Sequence, residues 1–179
     1  VYERCREVEL TPDGCLDLWG REHYKSTLIT FAGAIQEILR DPEVTIGIFS
    51  HTKPTAKKFF SQIKTELETN TDLIQTYPEI FWTDPRNQAP QWSDEKGIVV
   101  RRRGNPREST VEAHGLVDGQ PTGSHFRLRI YDDVVTLESV TTPEQVKKTT
   151  AAHAVSDNLG ARDPVTGFKR SWHLGTRYA

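Results

Sequence analysis

Lys25, Ser26 and Thr27 close the stretch Leu18-Trp19-Gly20-Arg21-Glu22-His23-Tyr24-Lys25-Ser26-Thr27, and Asp132 and Asp133 close Leu128-Arg129-Ile130-Tyr131-Asp132-Asp133. An ammonium followed by hydroxyls suits the β- and γ-phosphates of a nucleoside triphosphate and its Mg²⁺. Carboxylates at a neighbouring strand end suit the metal and the attacking water. Each stretch alone has an ordinary reading: a solvated Lys at a helix start, and an Asp-Asp turn in water. Together, in this order, they make Mg²⁺-dependent ATP hydrolysis the leading chemistry. Against the pattern G-x-x-x-x-G-K-[ST], the two glycine positions hold Trp19 and Tyr24, and Gly20 is displaced by one. The physical requirement is looser. The loop must turn backbone N–H groups inward, join a strand to a helix N-terminus, and end in Lys-Ser/Thr. Lys25 is then expected to face phosphate and to do little for the fold. Two adjacent carboxylates repel each other if both are buried, a cost that a bound Mg²⁺ would remove. Val134-Val135 leaves no turn residue directly after them.

The elements that must position these groups follow from periodicity. Gly14 to Trp19 reads as a strand after the turn Pro12-Asp13-Gly14. Leu28, Phe31, Ile35, Ile38 and Leu39 recur at helical spacing from about Ser26, and Asp41-Pro42 ends the run. Val44 to Ser50 is β-branched and apolar, which suits a buried parallel strand. Thr52 and Pro54 open a second helix running to about Leu67. This β-α-β-α order predicts an α/β fold with a mainly parallel sheet flanked by helices. Asn70 to Phe81 reads as a short helix and turn, and Thr83 to Asp94 as a surface loop. Ile98 to Arg102 and Ser109 to His114 read as a hairpin about Gly104-Asn105-Pro106, and Gly115 to Gly123 as a loop. Phe126 to Tyr131 is the strand leading to the carboxylates. Thr142-Pro143-Glu144-Gln145 spells a capping box at the start of a helix towards Asn158-Leu159-Gly160. Asp163 to Gly167 is a turn, and Phe168 to Leu174 a last strand.

Composition bounds the rest. The 179 residues fit one domain with a real core. A net charge of −2 gives no global attraction for nucleic acid, so any DNA contact must be local. Cys5 and Cys15 match neither a zinc pair nor a disulfide framework, which favours a reducing cytosol. No apolar run approaches 18 residues, so no membrane span is expected. Val1 is no initiator and the chain stops abruptly at Ala179, so the whole is expected to be one domain of a longer protein. Arg101-Arg102-Arg103 with Arg107 is the strongest basic cluster. It reads first as solvated arginines on an exposed hairpin, and otherwise as a contact for DNA phosphates or a neighbouring subunit's ATP. The six histidines show no H-x-x-x-H spacing and suggest no zinc site. His125 reads as a strand cap before a nucleotide contact, and Trp82 and Trp92 as local packing before base stacking.

On these residues the chain resembles the ATPase domain of phage large terminase subunits, the DNA-packaging motors of tailed viruses. The resemblance runs through Gly20 to Thr27, through Ile46-Gly47-Ile48-Phe49-Ser50 to Ile63, and through Gly115 to Phe126. It continues in Ile130-Tyr131-Asp132-Asp133-Val134-Val135 and Thr142-Pro143-Glu144, and ends in Leu174-Gly175-Thr176-Arg177-Tyr178. Many terminases share an Arg-containing phosphate loop without the second glycine. The resemblance implies a P-loop NTPase fold of the ASCE type, with ATP and Mg²⁺ as cofactors and double-stranded DNA as the translocated partner. It further implies a homo-oligomeric ring working with a portal and a small terminase subunit, in the host cytoplasm and transiently on the procapsid.

The roles it implies are specific. Gly20, Arg21, Glu22, His23, Tyr24, Lys25, Ser26 and Thr27 would bind nucleotide, with Lys25 on the β/γ-phosphates and Arg21 sensing or stabilising the γ-phosphate. Ser26, ahead of Thr27, and Asp132 would hold the metal. Asp133 stands where the family usually has the catalytic Glu that orients water, and Glu138 is an outside candidate. Thr176 matches the coupling position. Tyr2, Arg4 and Arg6 are the available base contacts, and the family's C-terminal nuclease domain is absent. Asp133 is one methylene shorter than Glu, and a 1 Å misplacement can cost about 10²-fold in rate. That departure and the missing glycines sustain a second reading, a non-hydrolysing P-loop-fold module that binds nucleotide or serves as a scaffold. A helicase-like ATPase would need nucleic-acid motifs that the chain lacks.

Overall fold

The computed structural model describes all residues except Val1, Pro12, Arg21, Val165, Thr166 and Arg177 to Ala179. A seven-stranded sheet has the order β1-β7-β6-β2-β5-β4-β3. Here β1 is Cys15–Trp19, β2 Ile46–Ser50, β3 Trp92–Ser93, β4 Gly97–Ile98, β5 Val111–Gly115, β6 Leu128–Asp132 and β7 Arg170–Thr176. The strands from β1 across to β5 run parallel, and β4 and β3 add antiparallel at the far edge. The expected hairpin is reduced to the single pair Ile98–Val111, because β5 is drawn into the parallel ladder beside β2. The loop expected over residues 83 to 94 contains the short helix α5, Pro85–Gln88, and then β3.

Side-chain alternation sorts each strand between two layers. Ile46, Ile48, Leu128, Ile130, Trp172 and Leu174 face α2, Ala34–Arg40, and α3, Lys53–Thr69. They pack there with Ile35, Ile38, Phe60 and Ile63. Phe49, Phe126 and Tyr131 face the other way, towards α6, Pro143–Ser156. Gly47 is dictated by this second layer: a Cβ there would lie 2.7 Å from the Phe126 ring. The capping box of α6 forms as the sequence predicts, with Thr142 Oγ1 accepting from Gln145 N and the Gln145 side chain accepting from Thr142 N. The remaining short helix, α4, is Thr71–Thr76, capped by Asn70.

Besides α5, a further helix has no counterpart among the expectations. α1, Tyr2–Leu10, carries only one buried residue, Val8, so it has little hydrophobic periodicity to announce it. It is held by ion pairs instead. Arg4 reaches Glu7 and Asp17, and Arg6 reaches Glu9. Among the described residues, no helix is long and apolar enough to cross a membrane.

Candidate functional site

The parallel strands end together at one edge of the sheet, and the chemistry-bearing residues gather there. β1 ends at Trp19, a loop that includes Gly20 and residues 22 to 25 follows, and a π-helical segment, Ser26–Gly33, continues as α2. The loop takes left-handed backbone angles although it lacks the second glycine. Tyr24, at that position, has φ +59°, and Glu22 has φ +64°. Both lie in the left-handed region, which costs a residue with a Cβ about 1–2 kcal/mol. At Gly20 the absence of a Cβ matters: one would lie 3.1 Å from the His23 imidazole. Non-glycine residues in this region persist where surrounding structure imposes them, and they cluster at functional sites.

Lys25 closes the loop with its side chain only 10% exposed. Its Nζ lies 3.3 Å from Asp132 Oδ1, 3.1 Å from Asp133 Oδ1 and 3.5 Å from Ser26 Oγ. The expectation that Lys25 does little for the fold is therefore corrected: it is the counter-ion of a fully buried carboxylate. The two carboxylates differ. Asp132 is the last residue of β6, 0% exposed, and accepts from Thr30 Oγ1 at 2.6 Å. Ser50 Oγ fixes its backbone carbonyl at 2.7 Å. Asp133 has left the strand with φ +50°, is about a third exposed, and accepts from Thr176 Oγ1 at 3.1 Å. The mutual repulsion of two buried carboxylates is thus avoided, because Asp133 itself makes the turn that Val134-Val135 does not. Burial raises the pKa of Asp132 above its ordinary 3.8, and the Asp133 charge adds to this. Thr30, Lys25 and Ser26 pull it back.

A cavity of about 490 Å³ opens above these groups, lined by Gly20, residues 22 to 27, Asp133 and Thr176. Eight of the residues singled out from sequence thus meet in one place: Gly20, Glu22, His23, Tyr24, Lys25, Ser26, Thr27 and Thr176, with Asp133 on the rim and Asp132 beneath it. Arg21 lies outside the described residues. The oxygen donors present, a buried carboxylate and the Ser26 hydroxyl, suit Mg²⁺, which takes one or two protein carboxylates and completes its shell with water and substrate phosphates. The chain offers no dedicated cage: among the described residues no group of three or more His, Cys, Asp or Glu could hold a metal. Thr30 stands in no motif, and the sequence assigns Ser50 no role of its own. The one sequence signal for Thr30 is a hydroxyl four residues after Ser26 inside the apolar run Leu28-Ile29-Thr30-Phe31.

Other candidates lie elsewhere. Glu138 is exposed on a short turn, Glu138–Val140, away from the cavity lining. Arg4 and Arg6 are engaged by carboxylates, and neither they nor Tyr2 line the cavity. The arginine cluster sits at the opposite edge of the sheet, between the end of β4 and the start of β5. Arg102 donates to the Glu108 and Pro106 carbonyls, and the Arg101 guanidinium lies 4.6 Å from the Trp82 ring centroid. Arg102 braces its own loop, and Arg101 packs on Trp82. Trp82 and Trp92 donate to the Val99 carbonyl and to Glu68, in keeping with local packing. His125 is exposed, and its backbone N–H donates to Glu108.

No protein-family model and no curated protein matches the chain. What defines it is therefore its architecture: an α/β domain with a mostly parallel seven-stranded sheet flanked by helices, and a polar cleft at the carboxyl ends of its strands.

Proposed function

We propose that this chain is a P-loop NTPase domain of the ASCE type that binds ATP with Mg²⁺ and hydrolyses it. The observation that carries the reading is the position of Lys25 Nζ, at the head of a strand–loop–helix unit and within 3.3 Å of both strand-end carboxylates. Lys25 pairs directly with both carboxylates, and it is the cation that a β/γ-phosphate would draw off to leave the carboxylates for its metal. Two further features support it. β7 lies between the loop-bearing strand β1 and the carboxylate strand β6, the additional strand of the ASCE class. Thr176, at the end of that strand, touches Asp133, so a change at the γ-phosphate has a direct route into β7.

In this reading Lys25 and the N–H groups of the loop hold the phosphates, and Ser26 and Asp132 hold the metal. Asp133 orients the attacking water, and Thr176 reads its position. Mg²⁺ would neutralise charge developing on the phosphoryl oxygens. The wider role, the ATPase motor of a viral DNA-packaging terminase that moves double-stranded DNA, rests on the sequence resemblance. So do Arg21 at the γ-phosphate, the ring, and the portal and small-subunit partners.

The test is calorimetric titration of the chain with ATP, with and without Mg²⁺, together with phosphate release. Binding should require Mg²⁺ for full strength. Turnover should be slow, because in a terminase-like motor a neighbouring subunit supplies the arginine finger, which is worth about 10³–10⁵ in rate. Absence of nucleotide binding would overturn the reading. Tight binding without any turnover would favour the non-hydrolysing module, which the short Asp133 carboxylate and its engagement by Lys25 and Thr176 favour.

A further inference from the structure

Thr30 is completely buried in the π-helical segment, on the turn after Ser26. A buried hydroxyl must find a partner, and this one donates to Asp132 Oδ2 at 2.6 Å. That length is typical of a hydroxyl bound to an ionised carboxylate, which is stronger than a neutral hydrogen bond. The carboxylate is thereby divided. Oδ2 is held from inside the fold by Thr30, while Oδ1 faces Lys25 on the cavity side. Ser50, from the neighbouring strand, fixes the Asp132 backbone. Asp132 is therefore held at its carbonyl and at one carboxylate oxygen, with the other oxygen left for exchangeable partners. Thr30 lies in the π-helical segment, and such windings are rare overall and frequent at functional sites.

We propose that Thr30 is a positioning residue for the metal: by pinning Oδ2 it presents Oδ1 of Asp132 to Mg²⁺ once phosphate has drawn Lys25 away. This inference rests on the reading of Asp132 as a metal ligand. Thr30 itself touches neither metal nor nucleotide. Its loss changes how tightly the metal is held, by the 10- to 100-fold that outer partners of metal ligands typically contribute.

The experiment compares Thr30→Val, which keeps the shape and removes the hydroxyl, with Thr30→Ser, which keeps the hydroxyl. A fluorescent ATP analogue reports binding while Mg²⁺ is titrated. Thr30→Val should raise the Mg²⁺ midpoint about tenfold or more and leave metal-free analogue binding within about twofold of the parent. Thr30→Ser should restore the parent midpoint. An unchanged midpoint in Thr30→Val, or an equal shift in both variants, would overturn the proposal and leave the proposed function standing. If the parent binds no nucleotide, or binds it independently of Mg²⁺, the role of Asp132 falls, and this proposal with it. Should Thr30→Val fail to fold, the methyl resonance of Thr30 in the parent decides. It should shift when Mg²⁺ is added to the nucleotide complex, and an unmoved resonance would overturn the proposal.

Discussion

Removal of the Lys25 ammonium tests the site without any nucleotide. Asp132 is 0% exposed, and Lys25 is the cation that faces it. In Lys25→Ala the carboxylate keeps its Thr30 hydrogen bond but loses its counter-charge. Breaking a buried ion pair from one side costs about 3–5 kcal/mol. The carboxylate has an escape, which is to take up a proton. From an ordinary value of 3.8 that costs about 4 kcal/mol at pH 7, which sets the ceiling. Part of the Lys25 pairing is with the partly exposed Asp133, where water screens the loss, so the lower end applies, about 3 kcal/mol. For a chain of this length that is a fall of roughly 6–12 °C in Tm. The sign with pH follows from the direction of the shift. Burial holds the folded pKa of Asp132 above its unfolded value, so its contribution is fully present below about 3.8 and is lost as pH rises through the folded value. Lys25→Ala raises that folded value further. Its deficit should therefore be large at pH 7 and small at pH 4. Asp132→Asn in the same chain removes the unpaired charge and should restore most of the lost stability. Urea denaturation of the parent, the two single variants and the double variant at both pH values measures this as a coupling energy. If Lys25→Ala matches the parent at pH 7, or if Asp132→Asn fails to rescue it, the ion pair does not hold the site together.

Three further outcomes follow from the same geometry. Asp132→Asn should weaken Mg²⁺-dependent ATP binding, whereas Asp133→Asn should mainly lower turnover; equal losses of affinity in a titration would contradict that division. Tyr24→Gly removes a left-handed strain of about 1–2 kcal/mol and adds chain entropy of about 0.4–1 kcal/mol. Tyr24 is largely exposed, so little burial is lost, and Tm should rise slightly; a fall in a thermal melt would mean that the φ of +59° is not strained. His173 stacks on Tyr131 and lies 3.0 Å from His153, Nε2 to Nε2, between β7 and α6. Burial first, then His153 and Arg129, hold its pKa down to about 4 from 6.5, against a smaller opposing pull from Asp157. The unfolded chain therefore takes up this proton first, and stability present above pH 6.5 should be lost between about 6.5 and 4. The loss should be about 2 kcal/mol after allowance for partial exposure. His173→Phe should flatten that slope in denaturation curves at pH 7.5 and 5, and an unchanged slope would assign it to other groups.

How far the sequence is legible depends on what kind of physics wrote each part. The β-α-β-α order, the capping box at Thr142 and the parallel carboxylate strand are readable because local periodicity and cap chemistry act within a few residues. α1 is not readable, because its hold on β1 is the Arg4–Asp17 pair and not an apolar stripe. The hairpin at residues 98 to 114 fails as a reading because the choice of partner for β5 is made by β2, far away in sequence. The proposed phosphate loop is the instructive case. A glycine pattern reports a backbone angle indirectly, through the residue that adopts it most easily, so Tyr24 in the glycine position reads as a defect. In the fold Tyr24 takes the left-handed angle all the same. The pattern is broken while the left-handed angle that a glycine there would favour is kept, between the β1 ladder to β7 and the buried Lys25. Asp133 shows the converse. Two adjacent acids look equivalent in sequence, yet one backbone angle of +50° divides them into a buried ligand-type carboxylate and a half-open one that meets Thr176. The metal-holding and water-orienting roles proposed for these two carboxylates would thus be divided by the turn at the end of β6, where no residue type announces it.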